Sequence, residues 1–369
     1  MIYDVIVVGL GAMGSATACH LARRGMRVLG LDAFSPPHAF GSSHGETRII
    51  REAYFEHPMY VPMVQRAYSL WRDLEQESGT TLLMETGGLM IGERNSDLVQ
   101  GARRSAEMHG LRYEMLAADE VHKRFPALRP QSDMVAVWEP RAGVLFAEAC
   151  ITAHLTAARR NGAELHYEES VQRWNSDPDG LRVHTSQGEY LARQLVITAG
   201  AWISVLFPDL PLRIERQVLF WFDQGSVPEM FSPGRCPVHL WQFDGRRFFY
   251  GFPDLGNGVK VAFHHGGVIT DVDRMRRSVS DDEVQDIRVV ARRFLAGADT
   301  KLRATAVCMY TNTADEHFWI DRDPRNASVL IASACSGHGF KFSPVIGEIL
   351  ADLIEGKPPQ LDIRLFNAR

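Results

Sequence analysis

Two stretches of this chain concentrate groups that bind anions or handle protons. Gly41-Ser42-Ser43-His44-Gly45-Glu46-Thr47-Arg48-Ile49-Ile50-Arg51 carries an imidazole and two guanidiniums, interrupted by small residues. Forked donors at that density suit a carboxylate or phosphate, although a solvated surface loop has the same composition. Cys335-Ser336-Gly337-His338-Gly339-Phe340-Lys341 joins a strand pattern to a helix pattern, so its N–H groups point at whatever lies there. A third segment, Ala306-Val307-Cys308-Met309-Tyr310-Thr311-Asn312-Thr313, holds a single cysteine and is followed by Asp315-Glu316-His317. Among apolar neighbours such a cysteine ordinarily reads as an inert core thiol.

Near the N-terminus, Gly9-Leu10-Gly11-Ala12-Met13-Gly14 follows a β-branched strand pattern over 3–8 and opens a helix pattern over 15–24, which Gly25 terminates. A helix N-terminus offers unpaired N–H groups and the positive end of a dipole, which suit a pyrophosphate. Glycines at Gly9, Gly11 and Gly14 let the chain turn sharply and approach the phosphate without a Cβ in the way. A second strand over 27–31 ends in Asp32, 18 residues after Gly14, where an acid accepts ribose hydroxyls. Strand, turn, helix and strand within about 30 residues make a βαβ unit with parallel strands. The unit predicts a dinucleotide and does not choose between FAD and NAD.

The elements that must position these groups are α/β at both ends of the chain and α+β in the middle. The spacing predicts helices over 60–78 and 147–161, and strands over 82–91, 164–167, 181–185 and 195–198. From 217 to 263, aromatics, β-branched residues and turn signals predict an antiparallel sheet. A strand over 329–334, a turn over 336–339 and a helix over 345–354 close the chain.

At 369 residues the chain has room for about two domains. A net charge of -5, with no basic cluster beyond short helical groups such as Arg274, Arg276 and Arg277, gives no reason to expect nucleic acid as a partner. The cysteines number 5, widely spaced and without a C-x-x-C pair, which argues against a disulfide framework and a structural metal. No apolar run approaches the roughly 20 residues of a membrane span. The apolar N-terminal run reads as a strand, not a secretory signal. The expected location is the cytoplasm.

Gly-Ser-Ser-His-Gly-Glu-Thr-Arg-Ile-Ile-Arg at 41–51, Val-Cys-Met-Tyr-Thr at 307–311 and Ser-Gly-His-Gly-Phe-Lys-Phe at 336–342 follow the glycine motif in that order. Together they resemble the monomeric sarcosine oxidase and N-methyltryptophan oxidase family. The resemblance runs over essentially the whole chain and includes Tyr-Gly-Phe-Pro at 250–253 and Lys260. It implies an α/β flavoprotein whose FAD-binding domain is of the glutathione-reductase type, discontinuous over 1–83, 141–216 and 322–369. An α+β substrate domain resembling that of D-amino acid oxidase would cover 84–140 and 217–321.

By the same resemblance, FAD is covalently attached through its 8α-methyl to Cys308. The other positions implied to hold the cofactor are Gly9, Gly11, Gly14, Asp32, Ser42, Thr47, Val171, Gly200, Gly337, Gly339 and Lys341. His44 and Arg48 would lie beside the flavin ring, and the helix after Gly339 would stabilise negative charge near flavin N1 and O2. Arg51 and Lys341 would clamp the substrate carboxylate, a fork paired with a point charge. Tyr250 and His264 would line the substrate side, and Lys260 would promote oxygen reduction. The implied reaction takes a hydride equivalent from a neutral secondary amine to flavin N5. The imine hydrolyses to an aldehyde and a primary amino acid, and oxygen becomes hydrogen peroxide. A monomer is expected, with the amino acid and oxygen as its small-molecule partners.

The chain departs from that family at Ser43, where a second histidine stands, and at Glu46, where aspartate stands. The segment with Trp241, Phe243, Arg246 and Arg247 departs too. These changes leave the substrate open among sarcosine, N-methyltryptophan, a cyclic imino acid and a sugar-modified amino acid. A dehydrogenase passing electrons to a carrier shares most of the motifs, but Lys260 argues against it. A noncatalytic flavin subunit would lack the Arg51 and Lys341 clamp, and a nicotinamide enzyme would have no use for Cys308.

Overall fold

The computed structural model describes residues 2–297 and 301–367. Its first strand, Ile2–Val8, alternates little and is apolar on both faces, with Val5, Ile6 and Val7 fully buried. That is the pattern of a strand covered on two sides, and it pairs in parallel with Val28–Leu31 and Glu189–Ile197. Glu164–His166 extends this eight-stranded sheet at one edge, and Asn326–Ser333 pairs in parallel with the end of Glu189–Ile197. On one face, Val5 and Val7 share a core with Ala18 and Leu21 of helix Ala12–Arg23, Leu155 of Ala147–Arg160 and Ile346 of Ser343–Ile354. On the other, Ile6, Val8 and Leu29 pack with Leu181, Val183, Ile203 and Phe207. The expected βαβ unit is present, but its helix starts at Ala12, directly after Gly11, rather than at Ser15.

A nine-stranded sheet carries most of the aromatic middle of the chain. Arg213–Phe222, Val259–His264, Arg247–Gly251 and Val238–Phe243 run antiparallel in that order. Leu302–Asn312 pairs along the far side of Arg213–Phe222, with Cys308 opposite Gln217. Because side chains alternate with period two, this register decides who shares a face. Tyr250 lies opposite Ala262, Lys260 opposite Trp221, and Leu219 opposite both Ala262 and Ala306. Tyr250, Lys260, His264 and Cys308 therefore project from one face, although they come from three strands. The reverse face, with Phe220, Phe222, Phe249 and Val261, is closed by Ile287, Val290 and Phe294 of helix Asp281–Phe294.

The strand expected over 82–91 is two strands in two sheets. Leu83–Glu85 joins Thr47–Ile50 and Gly143–Phe146, whereas Gly88–Glu93 joins the large sheet. Gly87 divides them at φ +72, and a Cβ there would lie 1.8 Å from the Trp138 ring. An apolar run does not reveal such a corner. Among the described residues no helix is long and apolar enough to cross a membrane.

Candidate cofactor and substrate site

A continuous cleft runs from the glycine motif to the face that carries Tyr250 and His264. Counting its open mouth, it holds about 1970 Å³ of free space. Its lining extends from Gly9 and Asp32 at one end to Tyr250 and His264 at the other, a span that offers separate places for a dinucleotide and a small substrate.

At one end the three glycines have different reasons to be glycine. A Cβ on Gly14 would lie 1.7 Å from the Gly9 carbonyl oxygen, and one on Gly9 2.6 Å from Ala199 Cα. Those two serve close packing of the chain. A Cβ on Gly11 would meet only Ser43 Oγ, at 3.6 Å, so the space beside it belongs to the cleft. Asp32 fixes the loop by accepting the Leu10 N–H at 2.7 Å and the Phe34 N–H at 2.9 Å. Ser43 accepts the Ala12 N–H at 3.4 Å, bringing the second motif to the helix start. Val171, Gly200 and Ser42 line the cleft here as well.

The middle is organised by strand Thr47–Ile50, which pairs with Gly143–Phe146. Arg48 binds its own loop, donating to Ser42 O at 2.7 Å, His44 O at 2.6 Å and Thr47 O at 2.7 Å. Its guanidinium also lies 3.9 Å from Cys308 Sγ. Cys308 faces the cleft beside Ser42, whose carbonyl is 3.6 Å from the sulfur. Burial, and then the neighbouring Arg48, push His44 down to about 4, so its imidazole is neutral at pH 7. His44 Nε2 is buried without a hydrogen-bond partner among the described residues.

At the substrate end Arg51 is only 4% exposed. Its guanidinium donates to both carboxylate oxygens of Glu56 at 2.7 Å and to Ala53 O at 3.1 Å. It also lies over the Tyr54 and Phe55 rings, at 4.2 and 4.9 Å from their centroids. Burial disfavours the Glu56 carboxylate, yet Arg51, together with His338 and Lys341, holds Glu56 below its usual range. Lys341 donates to His338 O at 2.7 Å and to the Tyr54 hydroxyl at 3.3 Å. Burial, then Arg51, lower it to about 7. His264 is within 3.3 Å of the Tyr310 hydroxyl. Burial first, then His265 and His338, keep it well below its usual value. The fixed cations at this end are thus the arginines, and the nearby imidazoles His264 and His338 are neutral.

Of the residues singled out in the sequence, Gly9, Gly11, Asp32, Ser42, Arg48, Arg51, Val171, Gly200, Tyr250, His264, Cys308, Gly337, Gly339 and Lys341 line this one cleft. Gly14, His44, Thr47 and Lys260 stand a layer behind its wall. Gly14 is there because it packs on Gly9. Lys260, 2% exposed, donates to Gly45 O at 2.5 Å, Thr47 O at 2.9 Å and Thr47 Oγ1 at 3.0 Å, so it reaches away from the free space. Gly339 leads into a single 3-10 turn, Phe340–Phe342, before the long helix begins at Ser343. Sequence reasoning missed Glu56 and Tyr54, which lie in an irregular loop without a motif. It also assigned nothing to Tyr310, although the Cys-Met-Tyr-Thr segment could have flagged it.

The residues present fit FAD. The helix N-terminus is open beside Gly11, Asp32 is fixed where a ribose would lie, and the far end is walled by Tyr250, Leu219 and Cys308. Comparison with known proteins agrees. The family model for FAD dependent oxidoreductases matches residues 4–353. Monomeric sarcosine oxidase of Streptomyces avermitilis is 46% identical, covering 100% of this chain and 97% of the relative. N-methyl-L-tryptophan oxidase of Salmonella agona is 34% identical, covering 99% and 98%. Among solved structures, NikD, an unusual amino acid oxidase essential for nikkomycin biosynthesis, superposes with a TM-score of 0.85 at 25% identity, covering 100% and 97%. The resemblance read in the three motifs and the flavoprotein fold it implied both hold, and the chain belongs to the FAD-dependent oxidoreductase family.

Proposed function

We propose that this protein is an oxidase of a small secondary amino acid, sarcosine or another N-methyl amino acid, with FAD attached through Cys308. The observation that carries the reading is the convergence of Arg51 and Lys341 on the same cleft as Cys308, with Glu56 as the counter-ion of Arg51. Arg51 Nη2, which contacts both Glu56 oxygens, can exchange that side-chain carboxylate for a substrate's and stay charge-paired throughout. Relatives named for sarcosine and N-methyl-L-tryptophan support the substrate class. The same reading makes the protein a cytoplasmic monomer with oxygen as acceptor and hydrogen peroxide as coproduct. Residues 84–140 and 217–321 form its substrate domain.

Bound FAD would supply the redox chemistry, taking a hydride equivalent from the carbon beside the amine nitrogen. The chain does the rest. Arg51 and Lys341 anchor the carboxylate and so fix which carbon faces the ring. Tyr250 and His264 wall the amine end, where burial favours the neutral, reactive amine. No side chain need abstract a carbon proton. Arg48 and His44 support the ring edge near Cys308, and Lys260 supplies positive charge for oxygen. A peroxide assay across N-methyl, cyclic and sugar-modified amino acids tests the reading. Peroxide with an N-methyl amino acid is the expected result. Bleaching by substrate without recovery in air would overturn the oxidase and leave a dehydrogenase.

A further inference from the structure

The strand that carries Arg48 is held at both ends by carboxylates that flank its partner strand, Gly143–Phe146. At the leading end, Glu148 Oε1 accepts the N–H groups of Gly45 and Glu46 at 2.8 and 3.1 Å. At the trailing end, Glu139 accepts the next available pair, Glu52 N–H at 2.6 Å on Oε1 and Ala53 N–H at 2.8 Å on Oε2. Between them Thr47–Ile50 pairs residue by residue with Gly143–Phe146.

Glu139 is the more unusual of the two. It is 1% exposed, and among the described residues no cation lies within ion-pair distance of it. Burying a carboxylate that way is costly, and two charge-assisted backbone hydrogen bonds are what it receives in return. A glutamine would avoid that cost but offers one acceptor oxygen to two N–H donors, so the carboxylate is what can hold Glu52 and Ala53 together. The link to the site is short. Ala53 gives its N–H to Glu139 and its carbonyl to Arg51 Nη1, and Arg51 precedes Glu52 in the chain.

We propose that Glu139 is a positioning residue for the carboxylate-binding arginine: by accepting the N–H groups of Glu52 and Ala53 it fixes the backbone from which Arg51 reaches the cleft. The inference rests on the proposed role of Arg51 as the substrate's carboxylate anchor. It extends that role to a residue that touches neither substrate nor cofactor. Glu139 must be ionised to accept both N–H groups fully, and its surroundings make that conditional. Burial is the main cause and Glu52 adds to it, against the two backbone donors and Arg51, bringing it up to about 7. Tyr68, from helix Tyr60–Ser78, Arg141, which pairs with Glu52 at 3.0 Å, and Glu85 also face this cluster. The part of carboxylate binding that depends on Glu139 should therefore be lost as pH falls through about 7, where Glu139 takes up its proton, while Lys341, lowered to about 7, acts in the opposite direction.

The test is calorimetric titration of the flavin-loaded protein with acetate across pH, on wild type, Glu139→Gln, Glu139→Asp and Arg51→Ala. Glutamine keeps the shape but offers one acceptor oxygen. Glu139→Gln is expected to weaken acetate on the order of tenfold above pH 7, the scale of one lost charge-assisted bond, and to abolish the acid-side decline. The N-methyl amino acid KM should rise with kcat at saturation little changed, a split that general destabilisation would not produce. Glu139→Asp keeps the charge and should retain the acid-side decline with an intermediate affinity. If Glu139→Gln does not fold, Glu139→Asp decides alone: unchanged acetate affinity overturns the proposal. Wild-type affinity and pH profile in Glu139→Gln overturn it as well. If Arg51→Ala leaves acetate binding intact, the anchor role of Arg51 fails instead. A loss in Arg51→Ala with none in either Glu139 variant removes only the inference about Glu139.

Discussion

Lys260 and Thr47 are joined twice, the lysine ammonium donating to both the carbonyl and the hydroxyl oxygen of the threonine at 2.9 and 3.0 Å. With the Gly45 carbonyl as third partner, the ammonium spans the turn around Glu46, which itself adopts φ +71. Glu46 accepts from Trp221 Nε1 at 2.9 Å and Asn257 Nδ2 at 2.7 Å, contacts that its extra methylene over aspartate helps it reach. A buried cation, a strained turn and the loop bearing His44 and Arg48 are therefore one mechanical unit.

Lys260→Met keeps the stem and removes the charge. Burial, then the neighbouring Arg48, drive the lysine well below its usual value; Glu46 and Glu148 act the other way, and the three oxygen acceptors are placed to hold an ammonium. When protonated, the lysine near developing negative charge on oxygen is worth roughly 3 kcal/mol at about 5 Å and an effective dielectric near 20. Reoxidation in air should slow on the order of a hundredfold, with anaerobic reduction by substrate slowed only a few-fold. Stopped-flow measurement of the two half-reactions checks this. Equal slowing of both would make Lys260 a loop strut only.

Cys308→Ala should release the flavin on acid precipitation, whereas the wild-type pellet stays yellow. Cys335 is the rival, since it also lines the cleft. Its sulfur accepts the Thr311 N–H at 3.4 Å, and burial raises its thiol pKa, which disfavours its thiolate. Cys335→Ala should keep the flavin attached. The reverse pattern would reassign the linkage.

Much of this site was legible because strand register is a period-two property. Once Tyr250, Lys260, His264 and Cys308 fall on strands, one pairing scheme puts them on one face. The βαβ unit was legible for the same reason: an apolar strand, glycines and an acid are local features. Glu56 and Glu139 were not. Glu56 acts through a loop conformation that no periodicity encodes, and Glu139 ends a strand, Met134–Glu139, as an ordinary polar residue would. Its partners, Glu52 and Ala53, lie 87 and 86 positions away in the chain. The corner at Gly87 escaped because its reason is the Trp138 ring, again a tertiary contact.

Gly11→Ala and Gly14→Ala separate ligand space from packing space. Gly11 has an ordinary φ of -67 and only Ser43 Oγ near its Cβ position, so the alanine protein should fold with a melting temperature close to wild type before flavin is added. Its flavin incorporation should fall, because the new methyl occupies the cleft. Gly14→Ala forces a Cβ to 1.7 Å from a backbone oxygen and should lower stability by several kcal/mol or prevent folding. Thermal melts of the flavin-free proteins and flavin content after reconstitution check both. Normal flavin uptake by Gly11→Ala would move the pyrophosphate site elsewhere.

Arg51→Ala should weaken acetate by roughly 2–3 kcal/mol with flavin content normal, the scale of a charge-assisted pair lost from a buried site. Glu56→Gln should do the opposite. In the free protein Arg51 Nη2 donates to both Glu56 oxygens, so acetate must displace Glu56 there, and a neutral amide competes less well. The pH dependence supplies the sign. Lys341 is lowered to about 7, chiefly by burial and then by Arg51, so it loses its proton as pH rises past neutrality. A bound carboxylate favours the protonated lysine. Anion affinity contributed by Lys341 is therefore present below about 7 and lost above it. Acetate binding in the wild type should decline on the alkaline side, and Lys341→Met should flatten that limb while Arg51→Ala keeps it. An alkaline decline that survives in Lys341→Met would place the titrating group outside the clamp.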